Sequence, residues 1–532
     1  MVVLYILLFI LILGIVVCFH EFGHYFFAKK AGILVTEFAF GMGPKLLSKK
    51  RGETYWSIRA LPIGGFCAMS GEDREEAVLK VGDECKLVLD ENNRVEKIIL
   101  KTDSPNYADL PIIKIEKIDL FGEKMSPLYI NEYEVNRDAI MVYNEKEEVQ
   151  IAPEERAFFS KSVWQRFLVC VGGPFNNILL ALIIFLLLAF IEGVPNINST
   201  IIGEVSKGTP ADLVGIKAGD KVLKIGDYTI NNFNDIHDAI YGTYSRKLSI
   251  TIERDGVEET ISVYAQYYFQ NMGIVSEQKT TDEGEDKLII ICESDAALGG
   301  TNKTKAYQDG GLRNGDELTY IKVNDGEYEE LKSWDDFLKQ AEEMDGGYVQ
   351  FKYNRIVDGV QENLESGKFQ VYSDELLESQ GYPSVVKQLG ISSTTHIEFF
   401  ACIGNGFKYL WKSATIIFST LKLLFTSKEV GVNDMGGFIT ILNQTANYAS
   451  GGFANLLYWV GLLSVNLGIV NLLPIPALDG GRILFLFIEG ITHKKLPAKV
   501  ENIIINVVFW LLLAFIGYIL LQDILRLIIQ LK

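Results

Sequence analysis

Long uncharged blocks constrain this chain more than any other feature, because a helix needs about 20 apolar residues to cross the hydrocarbon core of a bilayer. Val2 to Phe19 is uncharged over about 18 residues, roughly 27 Å at 1.5 Å per residue. Phe175 to Ile191, Leu456 to about Leu478, and Ile503 to Leu521 qualify as well. A secretory leader in place of the first block would want a basic start and a small-residue cleavage site, and neither is present. Ile397 to Phe425 is interrupted by Gly404, Asn405, Gly406, Lys408 and Lys412 and reads as amphipathic helices lying at an interface. The expected fold class is a polytopic α-helical membrane protein with four transmembrane helices and soluble modules between them.

Basic residues orient the spans. Lys29, Lys30, Lys45, Lys49, Lys50 and Arg51 follow the first block, Lys161 and Arg166 precede the second, and Arg482, Lys494, Lys495 and Lys499 separate the last two. An excess of Lys and Arg marks cytoplasmic loops, so these stretches belong inside and the segment from about 195 to 453 outside. A net charge of -18 argues against a nucleic-acid partner. Six cysteines without a CxxC pair exclude a disulfide framework, and Cys18 and Cys170 read as packing residues. The stretch Glu72 to Glu155 holds 22 Asp/Glu against 11 Lys/Arg. Runs at Lys86–Leu89 and Val95–Leu100 around Asn92-Asn93 predict a small β-rich cytoplasmic insert there, with a solubilising surface.

The outer segment repeats itself. Gly215-Ile-Lys-Ala-Gly219-Asp220-Lys-Val-Leu-Lys-Ile225 recurs 96 residues later as Gly311-Leu-Arg-Asn-Gly315-Asp316-Glu-Leu-Thr-Tyr-Ile321, and an aromatic-led helix pattern follows each copy. The first copy, opened by Ile202-Gly-Glu-Val-Ser-Lys-Gly-Thr-Pro210, resembles a PDZ domain, and the second resembles one more weakly. That resemblance implies tandem extracytoplasmic PDZ-like α+β domains that offer a sheet edge to an extended peptide.

His20-Glu21-Phe22-Gly23-His24 carries the chemistry. Residues four apart share a helix face, so both imidazoles can reach one Zn²⁺ while Glu21 holds the attacking water. Ionisable groups at the end of an apolar span are functional by default. A catalytic zinc needs a third protein ligand and an open position. Of the five histidines, His237 and His396 fall outside and His493 in a basic loop, which leaves a carboxylate. Asp479 is the candidate, in Asn466-Leu-Gly-Ile-Val-Asn471-Leu-Leu-Pro474-Ile-Pro476-Ala-Leu-Asp479-Gly480-Gly481, where two prolines break a helix inside an apolar block. Depth agrees: Glu21 lies about 20 residues into its span and Asp479 about 23 into its own. They meet only if both helices cross in the same direction, which four spans provide and a fifth at Ile397–Phe425 would not.

These motifs, with Gly41-Met-Gly-Pro-Lys45, Gly52-Glu-Thr-Tyr-Trp-Ser-Ile-Arg59-Ala-Leu-Pro62-Ile-Gly64-Gly65-Phe66 and Gly173-Pro174-Phe-Asn-Asn177, resemble the site-2 protease family of intramembrane zinc metalloproteases. Within it they are most similar to the regulator of sigma-E protease (RseP-like) branch. The acidic insert resembles that of Gram-positive members. Asp434-Met435-Gly436-Gly437-Phe438 departs from the family, which usually has a Gly-Pro step there.

The resemblance implies Zn²⁺ held by His20, His24 and Asp479, with Glu21 as general base. It also implies a re-entrant, membrane-associated β-hairpin at Arg59–Phe66, where Gly64 and Gly65 help bind substrate as an added strand, unless they form only a surface turn. Asn466 or Asn471 could bond the substrate backbone or an oxyanion, or merely satisfy carbonyls freed by the prolines. The implied substrates are single-span membrane proteins already trimmed outside, such as anti-sigma factors or remnant signal peptides, with the catalytic site near the cytoplasmic side of the cell membrane. The alternatives are a membrane-tethered metalloprotease acting on soluble peptides, and a non-enzymatic PDZ scaffold with a structural metal.

The expected organisation is therefore residues 1–24 as transmembrane helix 1, 25–71 as the hairpin region, 72–155 as the acidic insert and 156–195 as transmembrane helix 2. After these come 196–270 as a PDZ domain, 271–385 as a second PDZ-like domain, 386–453 as interfacial helices, and 454–490 and 491–532 as transmembrane helices 3 and 4.

Overall fold

The computed structural model describes residues 2–71, 79–144, 147–243, 245–279, 286–292, 304–379, 382–426, 435–495 and 497–530. Residues 72–78 at the start of the expected insert, and Asp434 of the departing motif, lie outside them. The helices that carry the architecture are α1 (Val2–Lys30), α2 (Val163–Glu192), α3 (Phe233–Gly242), α4 (Trp334–Glu342), α5 (Phe399–Thr426), α6 (Phe438–Ser450), α7 (Phe453–Leu472), α8 (Asp479–Thr492) and α9 (Ala498–Gln530). Four of them are long and apolar enough to cross a membrane, through Val3–Lys30, Val163–Glu192, Phe453–Leu472 and Lys499–Leu525. This matches the four expected blocks and gives a multi-pass membrane protein with β-rich soluble parts. The chain divides into two compact units, Met1–Ile184 with Gly436–Lys532, and Phe185–Met435.

In the first unit α1 runs on through Lys30, six residues beyond the expected limit at 24, so the histidine motif sits inside a continuous helix. The expected third span over 454–490 is two helices. α7 stops at Leu472, and Pro474 and Pro476 occupy a non-helical turn before α8 starts at Asp479. That turn pairs its own backbone: Ile475 N donates to Leu473 O at 2.7 Å, Leu478 N to Ile475 O at 2.9 Å, and Gly481 N to Leu478 O at 3.0 Å.

The expected hairpin is a folded-over sheet. β1 (Val35–Arg51) and β2 (Thr54–Met69) are long enough to bend back on themselves. Phe38 pairs with Cys67 on one side and Trp56 on the other, while Leu47 pairs with Ile58. The first half of β1 therefore lies between both halves of β2, and Gly65–Met69 forms an outer strand. Glu53, at the β1–β2 turn, bonds Lys29 at the end of α1 and Arg156 at 2.7 Å, tying the sheet to the helix.

The acidic insert has its own core of Cys85, Leu87, Val95, Ile98 and Ile130 under a seven-stranded sheet. Its expected hairpin is present: Glu84–Leu89 pairs antiparallel with Val95–Ile99. Asp90 Oδ1 accepts from the backbone N–H groups of Asn92 and Arg94 at 2.8 and 2.9 Å, which stabilises the turn, and Asn93 takes a φ of 61°.

In the second unit the internal repeat is a structural one. Both modules order their strands alike: Tyr228–Thr229, Lys221–Ile225, Lys247–Arg254, Val257–Tyr264 in one, and Glu329–Glu330, Glu317–Val323, Tyr348–Val357, Val360–Glu365 in the other. The repeated aspartates explain the motif. Asp220 accepts from Lys217 N at 2.8 Å and from Arg254 Nε and Nη2 at 2.7 and 2.6 Å. Asp316 accepts from Arg313 N at 2.8 Å and from Arg355 Nε and Nη2 at 2.8 and 2.7 Å. Burial would raise the Asp220 carboxyl, but the Arg254 hydrogen bonds and charge outweigh it and hold it below the usual carboxylate range.

The expected division at residues 270 and 385 differs from the structure. Leu389, which the expected division assigned to the interfacial region 386–453, is buried in the first module's core, and Ile391–Ser393 pairs antiparallel with Ile202–Val205. The second module is thus inserted into the first. The expected interfacial helices begin as one unbroken helix, α5, which buries Cys402, Gly406 and Ser413 and exposes Phe400, Phe407, Trp411, Phe418 and Phe425.

Asp316→Ala should destabilise the second module by about 3 kcal/mol, the low end for breaking a buried pair because Arg355 can still reach water. Hydrogen exchange on the intact protein should show lost protection at 317–323 and unchanged protection at 221–225.

Candidate metal centre

α1 places His20 and His24 one turn apart on one face, and both are buried. Asp479 is the first residue of α8, where a carboxylate is favoured by the helix dipole. His20 Nε2 lies 3.1 Å and His24 Nε2 3.4 Å from Asp479 Oδ2, and the two nitrogens are 3.2 Å apart. These three residues form a group that could hold a metal ion. Zinc bonds of 2.0–2.2 Å in a tetrahedral shell put neighbouring ligand atoms roughly 3.3–3.6 Å apart, so the three separations lie at or just short of the edges of one such shell. Asp479 Oδ2 is buried and has no hydrogen-bond partner. A buried carboxylate oxygen left in that state is costly, and a divalent cation would relieve it. The donor set fits Zn²⁺.

The other ring nitrogens fix the tautomers. His24 Nδ1 is 2.8 Å from Val169 O on α2 and donates to it, which leaves Nε2 free to coordinate. His20 Nδ1 is 3.3 Å from the side-chain amide of Asn177, whose Oδ1 is otherwise buried without a partner. With the amide oxygen turned toward Nδ1–H, both groups are satisfied. Ser464 of α7 donates to the Asn177 carbonyl at 2.8 Å, linking α7 to the same point. Asn177 carried no assigned role in the sequence. The available signal was an amide inside an apolar span, which must find a partner.

Glycines bring the helices this close. A Cβ on Gly23 would lie 2.0 Å from Gly172 O, and one on Gly173 would lie 2.3 Å from His24 Nε2. A Cβ on Gly480 would come within 2.1 Å of Leu473 O, and one on Gly481 within 2.4 Å of Ile475 O, because the proline turn wraps over the start of α8. This explains why two glycines follow Asp479.

The site opens on a cleft of about 410 Å³ lined by Glu21, Phe66, Cys67, Ala68, Asn471 and Arg482 among others. The Cys67 backbone N–H bonds the Glu21 carboxylate. Gly65 is brought against it: a Cβ there would sit 3.5 Å from Glu21 Cγ and 2.8 Å from Ala39 O. Gly64 is one step away, at a φ of 81° and packed on Met42. Asn471 lines the cleft, whereas Asn466 is exposed on α7 and does not.

The comparisons with known proteins coincide with this geometry. The family model for peptidase family M50 matches residues 8–515. The chain belongs to the M50, or site-2 protease, family. It is therefore a zinc metalloprotease by descent, and the His20, His24 and Asp479 group is one that could hold the metal. It is 30% identical over 512 residues to a protein of Staphylococcus aureus (strain N315) designated SA1105, covering 94% of each chain. It is 29% identical over 531 residues to the zinc metalloprotease RasP of Oceanobacillus iheyensis, covering 98% of each. RasP of Bacillus licheniformis is 30% identical over 517 residues, covering 96% of each.

Gly173→Ala should drive a methyl into the His24 ring and abolish stoichiometric zinc binding, measured by metal analysis of the purified protein. Gly65→Ala should keep its zinc and lose activity, because it displaces the strand beside Glu21.

Proposed function

We propose that this M50 metalloprotease cuts peptide bonds within the membrane segments of single-span proteins whose outer domains have already been removed. His20, His24 and Asp479 hold the zinc, and Glu21 is the general base. Zn²⁺, when bound, supplies Lewis acidity that activates water near neutral pH and polarises a carbonyl. Glu21 accepts the proton of the attacking water and delivers it to the leaving amine. The Cys67 N–H steadies the Glu21 carboxylate for that exchange.

The observation that carries the reading is the spacing of three donor atoms from two separate helices beside an apolar span. A substrate helix must unwind to expose a carbonyl, and its freed backbone then needs partners. The outer strand of β2, with Phe66, Cys67, Ala68 and Met69 along the cleft, is where substrate adds as a further strand. The two repeat modules are PDZ-like, lie outside, and dock or size-select membrane stubs such as anti-sigma factors or remnant signal peptides. α5 lies in the outer interface: its aromatic face is exposed, and Lys422 near its end pairs at 2.8 Å with Glu375 of the second module. The acidic insert and the metal centre face the cytoplasm.

Glu21→Gln separates the readings. An intramembrane protease should keep its zinc and cleave a single-span reporter in liposomes roughly 10²–10⁴-fold more slowly. Unchanged cleavage would refute Glu21 as base, and wild-type cleavage confined to soluble peptides would refute the intramembrane site.

A further inference from the structure

Arg166 and Glu489 form a buried ion pair about three helical turns away from the metal centre. Arg166 Nη1 and Nη2 donate to the two Glu489 oxygens at 3.0 and 2.6 Å, and Nε donates to Lys161 O at 3.0 Å. Their side chains are only 7% and 14% exposed. In the sequence Arg166 serves only to orient the second span, yet the fold takes it out of water. A buried pair of this kind is seldom more stable than an apolar contact of similar shape, and its best-attested use is to fix register. The bidentate fork is the geometry that does so.

The rotation of α8 is set by side-chain and turn contacts alone. The helix is 14 residues long, enters from the proline turn and leaves through His493 at a φ of 54°, so no continuous helix sets its rotation. A slip of one residue would turn it by about 100° and swing Asp479 off the two imidazoles. Glu489 stands ten residues after Asp479, which is about 15 Å along α8 and about 80° around it. The two carboxylates therefore anchor α8 at separate points. Asp479 meets α1, and Glu489 meets α2 one turn before Val169, the residue whose carbonyl orients His24.

We infer that the Arg166–Glu489 pair is a positioning device that makes α2 the common reference for both metal-bearing helices, holding Asp479 at coordinating distance from His20 and His24. This rests on the zinc-site reading above.

The test is zinc affinity, by competition with a chromophoric chelator, on the full-length protein in detergent below its unfolding temperature. Arg166→Ala and Glu489→Gln should each weaken zinc binding about 10–100-fold, the usual cost of losing a group that supports a ligand. Arg166→Lys, which keeps the charge and loses the fork, should fall between. The charge-swapped double variant Arg166→Glu/Glu489→Arg should return to within about threefold of wild type. Lowered thermal midpoints with wild-type zinc affinity would overturn the inference, since the pair would then serve stability alone. Failure of the double variant to recover would overturn it too. If Arg166→Ala does not fold, Glu489→Gln decides, since it keeps the side chain's shape but turns one of the two acceptor oxygens into an amide donor that cannot receive the guanidinium. Loss of zinc in His24→Ala and Asp479→Asn beside wild-type affinity in Glu489→Gln would sink the positioning role and leave the zinc site standing. Absence of zinc binding in the wild type would sink the zinc site itself.

Discussion

The meeting of two imidazoles and one carboxylate at the end of an apolar helix is the constraint on which the rest of the unit depends. Taking a carboxylate out of water is expensive, so the arrangement is tolerable only when a cation sits among the donors. It also requires helix backbones to approach more closely than ordinary side chains allow. Gly23, Gly172 and Gly173 let α1 and α2 touch, and Gly468 does the same between α7 and α2, where an added Cβ would lie 3.0 Å from Pro174 O. Packing of this kind substitutes for a hydrophobic driving force, which lipid does not supply between helices.

The polar groups that surround the centre are almost all accounted for locally. Val169 O and the Asn177 amide take the outer ring nitrogens, and Ser464 takes the Asn177 carbonyl. The proline turn satisfies its own carbonyls instead of leaving them to lipid. Away from the centre, Asp523, buried on α9, caps the start of α6 by accepting from Thr440 Oγ1 at 2.9 Å and from Ile439 N at 3.1 Å. Among these groups the Asp479 oxygen is the one that faces the cleft without a hydrogen bond.

Much of this was legible in the sequence, and for identifiable reasons. The helical period alone puts His20 and His24 on one face, and counting depth along two apolar blocks pairs them with Asp479. The 96-residue repeat became two modules because each Gly-Asp step needs an arginine 34 or 39 residues later, at Arg254 and Arg355, to close it. Other features depend on tertiary pairing that local pattern does not encode. Nothing in β1 or β2 announces that Phe38 has two strand partners, and nothing at Leu389 announces that it completes a core begun at Ile202. The Arg166–Glu489 pair was invisible for the same reason, its partners lying 323 residues apart, and the amide of Asn177 signalled that it needs a partner without pointing to His20, 157 residues away.

X-ray absorption at the zinc edge on the purified, metal-loaded protein tests whether His20, His24 and Asp479 share one ion. The first shell should be nitrogen and oxygen at about 2.0–2.2 Å, with multiple scattering from two imidazoles that changes when Asp479 is replaced by Asn. Cys67 and Cys170 also line the cleft. A sulfur neighbour at about 2.3 Å, or a shell with fewer than two imidazoles, would contradict that shared site.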